Sequence, residues 1–365
     1  MKKNFVIISN DTNQFLSHRI HLIKILKNLN FNIFILCPKN DKVFEKLNVN
    51  FINFDIGRKK KFFLFEIFSL IKLFFILKNL KPDVIQSIAI KPSLYSLVCG
   101  KILNNTKCII NITGLGYIFN NKNNFLLQKI IIGIFKTFKQ EKNVFIFQNK
   151  FEKNFFIKNR ICKEFQSKLV EGSPIKKIFK KRNIDKKKNI ICVSRMLYDK
   201  GIVDFIDCSK RIIDKNYDFN FFLIGSIDEE NKSSIKKNHL TKLIENNKKI
   251  KWLGYQPNLE KIFDEAIVMC FPSYHEGSPR VLIEAISRGL PIIAYNIPGC
   301  RTMVKNNFNG YLVKKKNINL LTSRLVKLLE NKKKLKRFSL NSNLMANKFL
   351  LTNMNTIYKN IYKKI

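Results

Sequence analysis

The stretch from residue 266 to 286 constrains the fold more than any other, because an apolar run passes through a short polar loop into an amphipathic pattern. Residues 266–270 predict a buried strand, 271–273 a turn, and the residues after Pro279 a helix. Pro279 suits the first turn of a helix, and Ser278 is placed to cap it. Backbone N–H groups at such a helix start form a ready anion site. The stretch therefore predicts an α/β unit with an anion-binding loop after its strand.

Two carboxylates flank the start of this helix. Glu276 lies just before it, and Glu284 lies about one and a half turns inside it. We expect Glu276 at the mouth of a cleft and Glu284 deeper, where it could accept hydrogen bonds from sugar hydroxyls. An ordinary strand–helix–strand unit with two solvated acids has the same spacing, so the spacing alone does not distinguish these alternatives.

The wider context of the two acids resembles the donor-site signature of retaining glycosyltransferase family 4. The matching features are the strand, the PS, EG and PR pairs, the E-x7-E spacing from Glu276 to Glu284, the segment AISRGLPIIA and the Gly-containing turn 298–300. The resemblance implies the α/β GT-B fold, with two Rossmann-like parallel-sheet domains facing across a cleft. It also implies transfer of a sugar from a nucleotide-diphosphate donor. Members of this fold generally need no bound metal, and the sequence shows no convincing D-x-D motif, so we expect no cofactor or metal beyond the nucleotide-sugar co-substrate.

The domain organisation follows from the length and from the alternation of strand and helix patterns. A chain of 365 residues is too long for one ordinary α/β domain and fits two. We expect an N-terminal acceptor domain over 1–170, a linker over 171–188 and a donor domain over 189–345. The resemblance implies that 346–365 form a helix that crosses back to the first domain. In such sheets, ligands bind at the carboxyl ends of the strands.

The elements of the first domain can be placed from its apolar periodicity. The predicted strands are 4–9, 32–36, 51–54, 83–87, 108–112 and 144–147, and the predicted helices lie near 15–29, 62–77, 93–103 and 125–138.

Two cations follow the strand that opens the second domain. Family members have a small residue and Arg after this strand and then Lys-Gly at a helix start, and Ser194-Arg195 and Lys200-Gly201 match that pattern. The resemblance implies that Arg195 and Lys200 stabilise the diphosphate, which gains negative charge as the glycosidic bond breaks. Surface charge on a loop is the alternative.

The resemblance assigns roles to further residues around this site. Glu284 is implied to bind the ribose hydroxyls, and Glu276 to hold the donor sugar or a phosphate. The implied catalytic residues are Glu276, Arg195 and Lys200, and the implied donor-binding residues are Ser194, Gly201, Gly225, Tyr255, Gly277, Ser278, Pro279, Arg280 and Glu284.

A glycine-rich loop follows the strand that ends at residue 112. Gly114 and Gly116 would let backbone approach a ligand there. With Thr113 they resemble the TGLG loop of glycosyltransferases that build bacterial surface polysaccharides and lipid-linked oligosaccharides. The resemblance implies a UDP-hexose or UDP-N-acetylhexosamine donor, a lipid-linked saccharide acceptor, and an acceptor or cleft role for this loop. Many relatives have a His after the strand, whereas Thr113 and Gly114 stand there in this chain.

The formal net charge of +42 favours an anionic partner, either phospholipid or nucleic acid. A solvated lysine surface, from a composition rich in Lys, Asn, Ile and Phe, is the alternative. A basic nucleic-acid-binding protein is supported by charge alone, because no recognisable binding motif accompanies it, and we expect no specific nucleic acid partner. A GT-B sugar-nucleotide epimerase is a third reading, and the intact Arg/Lys and E-x7-E pairs count against it.

Residues 58–78 form a basic cluster followed by an apolar run. The run of about 16 residues contains Glu66 and Lys72, which makes it too short and too polar to span a bilayer. It predicts either an interfacial helix lying on anionic lipid or a core-facing helix with exposed lysines. We expect no N-terminal signal, and the eight scattered cysteines fit a reducing cytosol. The expected location is cytoplasmic, peripheral on the inner membrane.

Overall fold

The computed structural model describes residues 2–39, 42–56, 63–115, 119, 124–179 and 187–365. The chain forms two compact units, each with its own parallel sheet. The first unit comprises Met1–Pro174 and Leu351–Ile365, and the second comprises Ile175–Leu350. The division thus falls within the predicted linker 171–188, and the C-terminal residues group with the first unit.

In the described part of the chain, seven parallel strands form the sheet of the first unit. They are β1 Asn4–Ser9, β2 Asn32–Cys37, β3 Asn50–Asn53, β4 Val84–Ile88, β5 Lys107–Ile112, β6 Val144–Phe147 and β7 Ser167–Leu169. Their order across the sheet is β3-β2-β1-β4-β5-β6-β7. The helices of this unit are α1 Thr12–His18, α2 His21–Asn28, α3 Lys42–Lys46, α4 Phe63–Leu80, α5 Ile90–Ile102, α6 Phe125–Phe138, α7 Lys150–Lys158 and, near the C-terminus, α15 Leu351–Tyr362.

The strands are readable from the sequence because both faces of the sheet are covered. In β1, Phe5 to Ile8 are completely buried, and alternate side chains enter two different apolar clusters. Helix α15 packs against α2 on the face of Phe5, and the Tyr362 hydroxyl donates to Gln86 Oε1 at 2.7 Å. The predicted strands are confirmed, and β1, β6 and α6 have the predicted bounds.

The prediction of a single helix near 15–29 was wrong, because α1 and α2 are separate helices. The Asp11 side chain accepts a hydrogen bond from the Gln14 N–H, which starts α1 earlier than the apolar pattern indicates. Arg19 has φ of −130° and ends α1. The apolar periodicity continues through this break and hides it. Helices α3 and α7 were not predicted, because each buries only one apolar side chain.

Helix α4 shows both a buried and an exposed side. Leu73 and Leu77 are completely buried, and Ser69 on the same side is 6% exposed. Glu66 is half-buried, and its carboxylate forms an ion pair of 2.7 Å with Lys91 on α5. The polar side chains Glu66 and Ser69 therefore face the protein, whereas apolar side chains of α4 face outward. Among the helices that the structure describes, none is both long and apolar enough to cross a membrane.

The second unit has six parallel strands within the residues described. They are β8 Asn189–Val193, β9 Asn220–Ile224, β10 Ile250–Trp252, β11 Ala266–Phe271, β12 Ile292–Tyr295 and β13 Gly310–Val313. Their order is β10-β9-β8-β11-β12-β13. The helices are α8 Ile202–Ile213, α9 Lys237–Ile244, α10 Glu260–Glu265, α11 Arg280–Ser287, α12 Pro298–Arg301, α13 Ile318–Leu329 and α14 Lys332–Ala346.

The eight cysteines are all buried, as expected for small core residues. Burial raises the pKa of the Cys108 and Cys192 thiols to about 12. Both thiols are therefore protonated and unreactive at neutral pH.

Candidate active site

The candidate site lies where the order of the second sheet reverses. From β8 the chain continues to β9 and β10 on one side, and from β11 it continues to β12 and β13 on the other. Strands β8 and β11 are neighbours, so the loops that follow them leave the same edge side by side. Parallel α/β sheets bind their ligands at such a reversal, outside the carboxyl ends of the strands. These two loops carry all three residues predicted to be catalytic, namely Arg195, Lys200 and Glu276.

A close backbone contact joins the two loops. Gly201 has φ of 66°, and a Cβ atom placed on it would lie 2.0 Å from the carbonyl oxygen of Pro272. Both the left-handed conformation and the lack of space therefore require glycine at this position. The contact brings the turn that ends in Lys200 against the loop that carries Glu276.

Lys200 and Glu276 form an ion pair across these loops. Lys200 Nζ lies 2.6 Å from Glu276 Oε1, and the Ser273 hydroxyl donates to the same oxygen at 3.0 Å. The two charged side chains are only 17% and 16% exposed. The short helix α12 adjoins them, since a Cβ atom on Gly299 would lie 2.4 Å from the Glu276 carbonyl oxygen. Glu276 is thus fixed by its side chain and by its backbone.

Arg195 has a different carboxylate partner. Its Nη1 lies 2.5 Å from Asp228 Oδ2, while the Arg195 side chain remains 50% exposed. The two cations predicted to act together are therefore each held by a separate acid, Asp228 for Arg195 and Glu276 for Lys200. A bound diphosphate would compete with these acids for the cations. The sequence analysis did not single out Asp228.

The start of α11 differs from the prediction. Pro279 is the N-cap residue, with φ of −70° and ψ of 110°, and the helix begins at Arg280. Ser278 precedes the cap by one position, which places its hydroxyl too far back to reach the first-turn N–H groups. The Ser278 hydroxyl is buried and makes no hydrogen bond with the described residues. The prediction that Ser278 caps the helix was therefore wrong.

The relative depth of the two acids is also the reverse of the prediction. Glu284 pairs with Arg280 one turn earlier on α11, with Arg280 Nε 2.7 Å from Glu284 Oε1. The Glu284 side chain is 32% exposed, twice the 16% of Glu276. The reason is that Glu276 is tied into its loop, whereas the buried side of α11 is occupied by Leu282 and Ile283.

The other predicted donor-binding residues lie on neighbouring loops of this edge. Ser194 follows β8, and its N–H donates to the Ile224 carbonyl at the end of β9 at 2.9 Å. Gly225 comes next, and its N–H donates to Gly254 at 2.8 Å. Tyr255 follows Gly254 with its side chain 71% exposed. Gly277 lies between Glu276 and the start of α11.

Comparison with known proteins agrees with this geometry. The family model described as glycosyl transferases group 1 matches residues 174–345, and the model described as glycosyl transferase 4-like matches residues 7–149. The solved structure of HepE of Anabaena with UDP and glucose has a TM-score of 0.77 at 13% identity, covering 99% of this chain and 100% of that one. Sucrose-phosphate synthase of Thermosynechococcus elongatus has a TM-score of 0.78 at 15% identity, covering 100% and 99%. At such identities the likeness shows the fold alone.

The chain belongs to the glycosyltransferases of the GT-B fold. Both the expected fold class and the expected enzyme class are thereby confirmed. Curated relatives resemble this glycosyltransferase along most of its length. The N,N'-diacetylbacillosaminyl-diphospho-undecaprenol alpha-1,3-N-acetylgalactosaminyltransferase of Campylobacter jejuni is 29% identical, over 87% of this chain and 89% of the relative. The UDP-Gal:alpha-D-GlcNAc-diphosphoundecaprenol alpha-1,3-galactosyltransferase of Escherichia coli is 24% identical, over 85% and 83%.

The first unit of the glycosyltransferase contains a buried carboxylic acid that the sequence analysis missed. Thr113 and Gly114 follow β5, whereas Gly116 lies outside the described residues. Glu152 on α7 is 4% exposed, and its Oε1 accepts a hydrogen bond from the Leu115 N–H at 3.2 Å. Burial raises the pKa of this carboxyl to about 7. Glu152 thus anchors the glycine-rich loop.

Within the described residues, no three His, Cys, Asp or Glu side chains are grouped so that they could hold a metal ion. The positive charges at the described site include those of Arg195, Lys200 and Arg280.

Proposed function

We propose that the protein is a retaining glycosyltransferase that moves a sugar from a UDP-sugar to a lipid-linked saccharide during assembly of a bacterial surface glycan. The observation that carries the proposal is the Lys200–Glu276 pair, held 2.6 Å apart at the reversal of the second sheet. The relatives of Campylobacter jejuni and Escherichia coli support it, because both are named for transfer to diphospho-undecaprenol-linked sugars. A UDP-hexose or UDP-N-acetylhexosamine is therefore the donor class that we propose.

In the proposed mechanism the diphosphate replaces the carboxylates as partner of the two cations. Arg195 turns from Asp228 and Lys200 from Glu276, and both stabilise the charge that develops on the leaving phosphate. Glu276, released from Lys200, then accepts hydrogen bonds from hydroxyls of the donor sugar. Glu284 binds the ribose hydroxyls. The two cations and the N–H groups at the start of α11 supply the positive charge, so we propose no metal cofactor.

The proposed reaction needs no protein side chain as a base, because the leaving phosphate takes the acceptor proton. The bond between the anomeric carbon and the phosphate oxygen breaks, and the acceptor oxygen bonds to that carbon on the same face. The acceptor proton passes to the departing phosphate oxygen. The donor configuration is therefore retained, and UDP leaves with the transferred proton.

The donor and acceptor can be tested together. A panel of sugar nucleotides is screened for thermal stabilisation and then for transfer to polyprenyl-diphosphate-linked saccharides. We expect a UDP-sugar to stabilise the protein and to be consumed only when acceptor is present. Conversion of the donor without acceptor would instead indicate an epimerase, and salt-dependent binding to any polyanion without transfer would contradict the enzyme.

We also propose that the first unit binds an anionic membrane surface through α4 and α6. Helix α5 packs against both, so the three helices form one layer. Large apolar side chains are exposed on both outer helices. On α4 these are Phe65, Ile67, Phe68, Ile71 and Phe75, and on α6 they are Phe125, Leu126, Leu127 and Ile130.

The charges of this layer favour an anionic bilayer. Along α4, α5 and α6 the sequence has one carboxylate, Glu66, and six lysines, Lys72, Lys78, Lys91, Lys101, Lys129 and Lys136. Glu66 is already paired with Lys91. Each lysine near an anionic surface adds roughly 1 kcal/mol of attraction, which decays within a Debye length. The basic cluster 58–61, predicted to take part, lies outside the described residues.

A flotation assay with vesicles containing anionic lipid tests this surface. Phe68 and Phe75 are 63% and 56% exposed, and replacing both with Ser should release the protein from the vesicles. Leu340 and Leu344 on α14 are 63% and 62% exposed, and the matched control is a variant in which both are replaced with Ser. High salt should weaken binding of the wild type. Equal flotation of both double variants would contradict the proposal while leaving the donor site untouched. Because the donor is a cytosolic nucleotide, we propose the cytoplasmic face of the inner membrane.

A further inference from the structure

A buried carboxylate lies beside the loop that carries Glu276. Asp204, on the first turn of α8, is 7% exposed. The Tyr274 hydroxyl lies 2.9 Å from both of its carboxylate oxygens, and the Tyr295 hydroxyl donates to Oδ2. In the part of the chain that the structure describes, Asp204 forms no ion pair with Lys, Arg or His. The hydroxyls of Tyr274 and Tyr295 therefore stabilise the Asp204 carboxylate.

Tyr274 connects Asp204 to the loop between β11 and α11, which carries Glu276 and is called the catalytic loop below. It follows Ser273, whose hydroxyl donates to Glu276, and it precedes Glu276 by two residues. Its N–H donates to the Asp199 carbonyl at 2.9 Å, which ties the loop to the turn that ends in Lys200. The loop between β11 and α11 is thus held at Tyr274 by both its backbone and its side chain.

The ring of Tyr274 is also fixed. It stacks on the ring of Tyr295 with a centroid distance of 5.9 Å and an interplanar angle of 16°. Lys316 Nζ lies 5.5 Å from the Tyr274 centroid on the loop after β13. Groups from α8, β12 and the β13 loop therefore converge on one side chain. Burial, followed by the bond to Asp204, raises the pKa of the Tyr274 phenol well above its usual range, so the phenol keeps the proton that it donates.

We propose that Asp204 and Tyr274 are positioning residues that hold Glu276 in place for the donor sugar. The inference rests on the proposed function, since it assigns Glu276 to the sugar. The hydrogen bonds between Asp204 and the two phenols hold the loop that carries Glu276, and none of these three side chains is assigned to the diphosphate. Loss of these hydrogen bonds should therefore impair sugar transfer much more than the binding of UDP. A network that merely stabilised the fold would affect both equally.

The test compares three substitutions that each remove one phenol hydroxyl. Tyr274→Phe should lower kcat for transfer by on the order of tenfold to a hundredfold, the effect of a small misplacement of a catalytic group. Its affinity for UDP, measured by calorimetry, should change by less than about twofold. Tyr295→Phe should have a smaller effect, because Tyr295 is outside the catalytic loop. Tyr217→Phe is the matched control, since the Tyr217 hydroxyl donates to Glu330 elsewhere in the second unit.

Hydrogen exchange supplies a readout that does not depend on activity. In Tyr274→Phe, amides of residues 272–277 should exchange faster than in wild type, while the strands of the second sheet keep their protection. Asp204→Asn retains an acceptor oxygen for the phenols and should lose less activity than Asp204→Leu. Wild-type kcat and wild-type exchange in Tyr274→Phe would overturn the proposal, as would equal losses of kcat and UDP affinity. If wild type itself transfers no sugar while Tyr274→Phe still loosens the loop, the proposed function fails and the structural assignment stands.

Discussion

The buried acid Glu152 allows a quantitative prediction about the pH dependence of stability. Burial raises its pKa from 4.5 to about 7, with the Asn149 and Leu115 hydrogen bonds acting in the opposite direction. The folded first unit therefore holds this proton more tightly than the unfolded chain does. The corresponding stabilisation is fully present below pH 4.5 and is lost between pH 4.5 and 7.

The magnitude follows from the two pKa values. One pKa unit corresponds to about 1.4 kcal/mol, so the change from 4.5 to about 7 corresponds to about 3 kcal/mol. Glu152→Gln should remove this pH dependence, because the amide oxygen can still accept from the Leu115 N–H while no charge has to be buried. Relative to wild type, the variant should gain about 3 kcal/mol in free energy of unfolding between pH 4 and pH 8.

The assay must report on the first unit alone. The single tryptophan, Trp252, lies in the second unit, so its fluorescence is unsuitable. Urea unfolding can instead be monitored by hydrogen exchange of peptides from β5 and β6, which report on the first unit alone. Glu164→Gln is the control, because Glu164 is 71% exposed and pairs with Lys153 on α7. A Glu152→Gln variant with the same pH dependence as wild type would refute the reasoning.

Three further predictions concern the second unit. Arg195→Ala should lower the transfer rate by about a hundredfold or more, as for removal of one preorganised charge stabiliser, and wild-type turnover in a folded variant would exclude the diphosphate role. Glu284→Gln should weaken the binding of free nucleotide by about 1.5–3 kcal/mol, and calorimetry showing unchanged affinity would rule out the ribose contact. Gly201→Ala should lower the free energy of unfolding by about 1–3 kcal/mol, because its Cβ would meet Pro272. Gly133→Ala, where nothing lies within 4 Å of the added Cβ, is the control and should be neutral or slightly stabilising. The free energies of unfolding of both variants are measured by thermal unfolding, and a Gly201→Ala variant as stable as wild type would contradict the requirement for glycine.

Much of the fold was predictable because its strongest signal is local. The strands of a parallel sheet are buried on both faces and read as continuous apolar runs, so β1 and β6 could be bounded from their own residues. The loops of the site could be found for the same reason, since ligands in such sheets lie at the carboxyl ends of strands. The break between α1 and α2 was missed because Arg19 ends α1 through its backbone conformation, with φ of −130°, while the apolar pattern continues through it.

The orientation of α4 shows where local information ends. Its sequence is apolar on nearly every side, so periodicity cannot say which side is buried. The structure turns Glu66 inward because Lys91 and Tyr95 on α5 both bind its carboxylate there. The neighbouring helix, and not the sequence of α4, decides which phenylalanines are exposed.

Local sequence patterns predict which loops form the candidate site, whereas the tertiary fold sets which of their side chains meet. Lys200 and Glu276 are 76 positions apart, and Asp204 lies 70 positions from Tyr274. These partners meet because β8 and β11 are neighbours in the sheet and because Gly201 allows their loops to touch. Strand order is set by packing over the whole unit, so no local pattern specifies that Glu276 pairs with Lys200 or that Asp204 holds Tyr274.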